Sequence, residues 1–417
     1  RYSVDKKWHV PHFEKMLYDN AQMVSLYSNA YLATKDNLYK EVVTQTLAFV
    51  ARECTNSEGA FYSSFDADSL TKGGVLEEGA YYVFTKEELT KELGEDVELF
   101  STYYNINSFG LWENNHYVLI RSKSDPEVCA AFGITNQELQ NKKEAWRKAL
   151  LSYRNKRDKP RLDDKILTSW NGLMLKGYVD AYKAFQEPAY LQAALKNAHF
   201  IKSKQWQTSG ALFHSHKDGK STINGYLEDY AAVIDAFIGL YEITLDDQWL
   251  LIANELTSYT YGHFFDSEKQ LFYFTNDQDP SLITRSFEYR DNVIPASNSM
   301  MAKNLYVLSH HFDNQTYNAT ASQMLKNVLP EIEKYPSGFS NWLDLLANFQ
   351  NSFNEIVVVG EDAQQKVKEI HQYYLPNKLI AGSTKAGKSP LLEQRFIENE
   401  TFVYVCVNNA CKMPETE

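Results

Sequence analysis

The chain has 417 residues, which is long enough for a large buried core and typical of one domain with an appendage. Its formal net charge of −12 disfavours binding to nucleic-acid phosphates. No run approaches the roughly 18 apolar residues of a membrane helix, so we expect neither nucleic acid nor membrane as a partner.

The first residue is Arg1, and no basic and apolar leader follows it. We therefore expect a fragment whose upstream part is missing, from a cytoplasmic protein. Four cysteines are too few for a disulfide scaffold. Cys54 and Cys129 are expected to be buried apolar groups, whereas a metal or redox role for Cys406 and Cys411 stays open.

An internal repeat runs along the chain. Each unit has an apolar helix, a short polar turn, an aromatic residue that opens a second helix, and a Gly-aromatic hairpin. Tyr39 precedes Gly59 by 20 residues, and Tyr190 precedes Gly210 by the same number. The first helices are in register too, because equivalent positions hold Asp19, Trp170, Asp229 and Ser297, each followed by Asn20, Asn171, Tyr230 and Asn298.

Such units cannot bury an apolar face alone and must stack on their neighbours. We predict a mostly α fold, an (α/α)6 toroid with first helices inside and their polar starts at one end. The toroid would span residues 1–354, with an incomplete first repeat and a β-containing insertion at about 75–155. Residues 355–417 alternate strand and helix patterns and predict a small α/β appendage.

The opening stretch KWHVPHFEKMLYDNAQ predicts a helix that begins near Pro11. His12, Lys15, Asp19 and Gln22 would then share one face. We expect this face to line a pocket, with His12 as a base and Asp19 and Asn20 as substrate ligands. The alternative is a polar network that closes the end of the toroid. No HExxH motif occurs, so no metal site is predicted.

The loop FDADS, on the hairpin after the second repeat unit, carries Asp66 and Asp68. Two carboxylates in one loop can bind a cation or a pair of sugar hydroxyls, and we include them among the catalytic candidates. Equally, they can stabilise turns through Asx hydrogen bonds.

The segment LDDKILTSWNG holds three further substrate-binding candidates, Asp164, Trp170 and Asn171. A large aromatic ring beside an amide suits stacking on a sugar together with hydrogen bonds to its hydroxyls. The alternative for Asp163 and Asp164 is capping of the following helix.

The motif YLEDYA places Glu228 and Asp229 at another helix start. Neighbouring carboxylates raise one pKa and can divide acid and base roles, so both are catalytic candidates, with a capping box as the alternative. Asp291 and Asn298 in RDNVIPASNSM are predicted to bind substrate. Here the alternative is an ion pair that braces the loop.

Residues 382–389 read GSTKAGKS, the letters of a phosphate-binding loop. Pro390 follows directly and no acidic magnesium ligand ends the next strand, so no cofactor is predicted.

The stretches WHVPHFEKMLYDNAQ, AFYSSFDADS, LDDKILTSWNGLM, YLEDYA, IPASNSMMAKNL and YVCVNNACKMP resemble a family across nearly the whole chain. This is the thioredoxin-domain-containing family that includes spermatogenesis-associated protein 20 and bacterial YyaL-type proteins. The resemblance implies an upstream thioredoxin-like domain and a toroid of six-hairpin glycosidase type, shared with N-acylglucosamine 2-epimerase relatives. No CxxC motif occurs here, so redox activity cannot rest on that motif.

Together these features predict a carbohydrate-active enzyme with acid–base chemistry on a small-molecule sugar or uronide. Hydrolysis is favoured over epimerisation, because those epimerase relatives use histidines and only His12 precedes an inner helix. The alternative is a non-catalytic module that binds a glycan or protein beside the upstream domain.

Overall fold

The computed structural model describes residues 2–3, 6–280, 283–408 and 410–416. The α-helices are α1 Leu17–Thr34, α2 Asn37–Glu53, α3 Lys86–Leu93, α4 Val97–Tyr104, α5 Asp125–Phe132, α6 Asn136–Arg154, α7 Thr168–Phe185, α8 Pro188–Phe200, α9 Leu227–Thr244, α10 Asp247–His263, α11 Ser297–Phe312, α12 Gln315–Ile332, α13 Ser340–Gln350 and α14 Ala363–Ile370. None of these helices is both long and apolar enough to cross a membrane.

The strands are mostly short. They are β1 Lys15–Met16, β2 Ser64–Phe65, β3 Asp68–Leu70, β4 Leu76–Glu78, β5 Phe84–Thr85, β6 His116–Tyr117, β7 Leu162–Asp163, β8 Ile166–Leu167, β9 Phe213–Lys217, β10 Lys220–Asn224, β11 Phe265–Asp266, β12 Leu271–Phe272, β13 Asn354–Val359, β14 Lys378–Ser383, β15 Phe402–Val407 and β16 Ala410–Cys411. The chain divides into two compact units, Arg1–Met16 with Ser64–Asp163, and Leu17–Ser63 with Asp164–Glu417.

The second unit consists of helical hairpins. The pairs α1/α2, α7/α8, α9/α10 and α11/α12 each pack together, the first helices pack in the order α1, α7, α9, α11, and α13 follows against α11. The predicted fold, a mostly α repeat of hairpins of the six-hairpin glycosidase type with inner and outer helices, is confirmed. Gly172 shows how close the inner helices lie, because a Cβ there would be 2.8 Å from the Ala232 carbonyl carbon.

The polar turn of each hairpin has one recurring geometry. The first helix ends at a residue with a positive φ, namely Lys35 (58°), Gln186 (54°), Leu245 (56°) or Asp313 (48°). The next residue is the N-cap of the second helix, and in three hairpins its side chain accepts a hydrogen bond from the helix backbone: Asp36, Asp246 and Asn314. The polar turns predicted from the sequence are therefore helix caps.

Residues from 354 onward form a four-stranded sheet in the order β14-β13-β15-β16. Strands β13 and β14 are parallel, and the other pairs are antiparallel. At the end of α9, Glu242 pairs with Lys183 at 2.5 Å and accepts a hydrogen bond from Ile380 N at 3.0 Å, which joins the sheet to the hairpins. No helix follows β14, so the letters at 382–389 do not form a phosphate-binding loop. Cys406 and Cys411 form a disulfide.

The first unit has a core of its own around Leu89, Phe100, Tyr103 and Trp146. It contains the predicted insertion at about 75–155 and also the opening stretch of the chain. Its small sheets have the orders β1-β2-β7, β3-β4 and β5-β6.

The prediction that a helix begins near Pro11 is wrong. Lys15 pairs with Phe65 as part of β1, and α1 begins only at Leu17. The pairing partner lies 50 residues away, so the local sequence does not reveal it. His12 and Lys15 therefore do not share a helix face with Asp19.

Candidate active site

Asp229 lies in the first turn of α9 and is completely buried. Its Oδ1 accepts a hydrogen bond from Ser169 N at 2.8 Å, and its Oδ2 accepts one from Tyr226 N at 2.8 Å. The same Oδ2 lies 2.9 Å from His214 Nδ1. A carboxylate enclosed in this way cannot reach a substrate. The predicted acid–base role of Asp229 is therefore corrected: it caps α9, ties α7 to α9 and orients a histidine.

His214 comes from β9, the first strand of the β9-β10 hairpin that precedes α9. Burial alone would lower the pKa of His214, but the hydrogen bond and negative charge of Asp229 outweigh it, and the pKa is raised. The carboxylate also fixes which ring nitrogen faces inward. Sequence reasoning missed His214, because it looked for functional groups at helix starts and took LFHSHKD only as a hairpin tail.

Glu228 is the second residue of α9 and is partly buried. Burial, followed by the charges of Asp229 and Glu288, raises the pKa of Glu228 to about 7, although His214 acts in the opposite direction. One ligand atom each from His214, Glu228 and Asp229 lies within 4.8 Å of the other two. The predicted catalytic candidate Glu228 thus lies beside a histidine that Asp229 orients. Its carboxyl group changes protonation state close to neutral pH.

Such a trio could in principle hold a cation. However, both oxygens of Asp229 already serve backbone donors and His214. This arrangement suits proton transfer better than metal ligation.

Asn171 and Asn298 occupy equivalent positions, as their register predicted, but both are buried and fully hydrogen-bonded within the protein. Asn171 accepts from Phe61 N at 2.9 Å and donates to Phe61 O at 3.0 Å. Asn298 makes the same pair of bonds with Phe272 N and O at 2.8 Å each. Their predicted role as sugar ligands is therefore wrong. Each amide clamps the backbone of a Gly-aromatic hairpin or its equivalent against an inner helix.

Asp291 is also used internally. Its Oδ1 accepts hydrogen bonds from Ala296 N at 2.9 Å and Ser299 Oγ at 2.7 Å, and its Oδ2 accepts one from Asn341 N at 2.8 Å. It therefore holds the starts of α11 and α13, which corrects the predicted role in substrate binding. The alternative was an ion pair that braces the loop, and Arg290 of this loop pairs with Glu331 of α12 at 2.6 Å rather than with Asp291.

Asp164 lies before β8 and pairs with Lys217 at 2.6 Å, so it does not cap α7. Trp170 is partly exposed in the first turn of α7, where its ring meets Tyr18 edge-on at 4.8 Å. Asp19 is partly exposed in the first turn of α1, beside Asn20. Trp170, Asp19 and Asn20 stay candidate substrate ligands at the starts of inner helices.

The remaining candidates lie in the first unit. His12 stacks on Tyr2 with ring centroids 5.0 Å apart, and its Nε2 is 3.9 Å from Glu78. Asp66 lies 3.9 Å from the Arg161 guanidinium, and Asp68 is exposed at the start of β3. The catalytic roles of these three residues stay predictions.

No family model matches the chain. Its relatives include human spermatogenesis-associated protein 20, which is 30% identical over 100% of this chain and 58% of its own length. The mouse protein of the same name is 29% identical with the same coverage. The chain is a homologue of spermatogenesis-associated protein 20. It spans somewhat more than half of the length of these curated relatives.

A Caenorhabditis elegans relative, uncharacterized protein B0495.5, is 27% identical over 99% of this chain and 61% of its own length. Among solved structures, cellobiose 2-epimerase from Bacillus thermoamylovorans is 12% identical with a TM-score of 0.48, over 78% of this chain and 63% of that chain. The GH76 α-mannanase BT2949 of Bacteroides thetaiotaomicron is 13% identical with a TM-score of 0.44, over 86% and 73%. These likenesses concern the fold alone.

Proposed function

We propose that the chain carries a carbohydrate-active enzyme site in which Glu228 exchanges a proton with a sugar substrate. The arrangement that supports this most is Glu228 beside the oriented His214, with one atom of each within 4.8 Å of the other. Burial and the charge of Asp229 raise the pKa of Glu228 to about 7. A general acid works best when its pKa lies near the operating pH, because it then holds a proton and can still release it.

His214 and Asp229 complete the proposed proton-transfer group. Asp229 is a positioning residue, because it touches His214 and backbone groups only. When Glu228 has accepted a proton from the substrate, His214 can accept that proton from Glu228. When Glu228 has donated its proton to the substrate, His214 can donate a proton to Glu228. Trp170 is the proposed stacking surface for a sugar ring, since its partly exposed ring lies in the equivalent turn of the neighbouring inner helix.

Hydrolysis remains the favoured reaction, now on a different ground. His214 weakens the earlier argument from histidines, because it lies on a strand yet contacts Asp229 at the start of the inner helix α9. Epimerisation needs an acid and a base on opposite faces of a sugar ring, which must lie about 6–7 Å apart because each approaches its atom to about 3–3.5 Å. One atom each of Glu228 and His214 lie within 4.8 Å of each other, which is closer than this arrangement requires. Glu288, whose charge raises the pKa of Glu228, is exposed and is the proposed second carboxylate of a hydrolase pair.

The alternative, a non-catalytic glycan- or protein-binding module beside a thioredoxin-like domain, is favoured by one specific finding. Asp229, Asn171, Asn298 and Asp291 are satisfied within the protein, which leaves fewer groups for chemistry than the sequence suggested.

The test is a panel of aryl glycosides, disaccharides and uronides with product analysis by NMR, which separates hydrolysis from epimerisation. Wild type should turn over a member of the panel, and Glu228→Gln should lose about 10²–10⁴-fold in kcat, as removal of a general acid does. Glu255→Gln, an exposed carboxylate on α10, is the control and should retain full activity. Binding without turnover by wild type would favour the binding module instead. Unchanged kcat in Glu228→Gln would refute the role of Glu228.

A further inference from the structure

Two cations share one aromatic ring in the first unit. Lys15 Nζ lies 4.0 Å from the centroid of the Tyr82 ring. The Arg154 guanidinium carbon lies 5.4 Å from the same centroid and 4.8 Å from that of Tyr81. Lys15 comes from β1 and Arg154 is the last residue of α6, so the fold brings them together from distant parts of the chain.

Among the described residues, neither cation forms an ion pair with a carboxylate. Lys15 donates to the backbone oxygen of Phe13, and Arg154 Nε is buried with no hydrogen-bond partner. Burial, followed by the charge of Arg154, lowers the pKa of Lys15 to about 8. The charge of Glu78 acts in the opposite direction. Both cations therefore contact one aromatic ring, and among the described residues neither has a carboxylate at ion-pair distance.

Two other cations of the same unit do form ion pairs with carboxylates. Arg157 donates to the backbone oxygens of residues 80, 81 and 83 and pairs with Glu88 at 2.8 Å. Lys143, which is buried, pairs with Asp125 at 3.2 Å. Charges withdrawn from water are paired as a rule, so two partly buried cations on one ring without a carboxylate at ion-pair distance indicate a site for an anion.

We propose that Lys15 and Arg154 bind an oxyanion, the carboxylate or phosphate group of a small molecule. The guanidinium can donate two hydrogen bonds to such a group and the ammonium a third, which is the usual chemistry of oxyanion recognition. Tyr81 and Tyr82 hold the two cations in place through their ring faces. All these residues belong to the first unit, so the proposal is independent of the role given to Glu228.

The experiment measures binding of inorganic phosphate, glucuronate and glucose to the full chain by calorimetry at constant ionic strength. Phosphate or glucuronate should bind and glucose should not, and the anion that binds more tightly identifies the source of the oxyanion group. Lys15→Met and Arg154→Leu should each raise the dissociation constant of the anion by at least about tenfold, which corresponds to the loss of one charge-assisted hydrogen bond. Lys143→Met is the matched control, a buried lysine that has its carboxylate, and should bind as wild type does.

A measurement on wild type avoids dependence on folding of the variants. An amine-reactive label, followed by peptide mass spectrometry, should modify Lys15 more slowly in phosphate or glucuronate than in chloride, with Lys143 unaffected. Equal labelling of Lys15 in all three salts, or anion binding retained by Lys15→Met, would overturn the proposal.

Discussion

Replacing Glu228 by glutamine should stabilise the protein at neutral pH. The pKa of Glu228 is about 7 in the folded chain against an ordinary value of 4.5. The folded state therefore holds this proton more tightly than the unfolded state. The stability that the proton contributes is complete below about pH 4.5 and is lost as the pH rises through 7. The difference corresponds to about 3 kcal/mol, at 1.36 kcal/mol for each pKa unit.

Glutamine is neutral like the protonated carboxyl group, so the variant does not lose this stability as the pH rises. Urea unfolding of wild type and Glu228→Gln at about pH 4 and pH 8 measures it. The variant's advantage in unfolding free energy should grow by about 3 kcal/mol between these conditions. Glu255→Gln, on the exposed side of α10, should change by less than about 0.5 kcal/mol. An advantage that does not grow with pH would refute the buried, proton-holding state of Glu228.

Two further predictions concern other parts of the second unit. Asn171→Ala should lower the unfolding free energy by about 2–6 kcal/mol in urea unfolding, because it leaves the buried N–H and C=O of Phe61 without partners; a loss below about 1 kcal/mol would contradict the clamp. After mild reduction, alkylation followed by mass spectrometry should modify Cys411, which is exposed, before Cys406, which is buried; equal rates would contradict this difference in access.

The sequence predicted the hairpins well, because each repeat is recognisable from the spacing of residues that are close in the chain. The distance of 20 residues from Tyr39 to Gly59 and from Tyr190 to Gly210 reports the length of one helix and its turn. The register also placed Asn171 and Asn298 in equivalent positions.

Their role could not be predicted in the same way. Spacing places a side chain on a helix, but the partner of Asn171 is Phe61, 110 residues earlier. Whether a polar group binds a ligand or the protein's own backbone depends on such distant partners. The opening helix failed for a related reason, since the pairing of Lys15 with Phe65 overrides the local helical pattern.

His214 shows what the sequence contained but did not reveal. It lies 15 residues before Asp229, on a strand rather than at a helix start. Glu228, by contrast, was found from the YLEDYA motif, because adjacent carboxylates at a helix start are visible in the sequence alone.

The central claim is that Glu228 retains its proton close to neutral pH. Carbon-13 NMR of protein with labelled glutamate carboxyl groups measures this directly, and the signal is assigned by its loss in Glu228→Gln. We predict a titration midpoint near pH 7 for this carboxyl group. A midpoint near the ordinary value of 4.5 would contradict the proposed acid–base site.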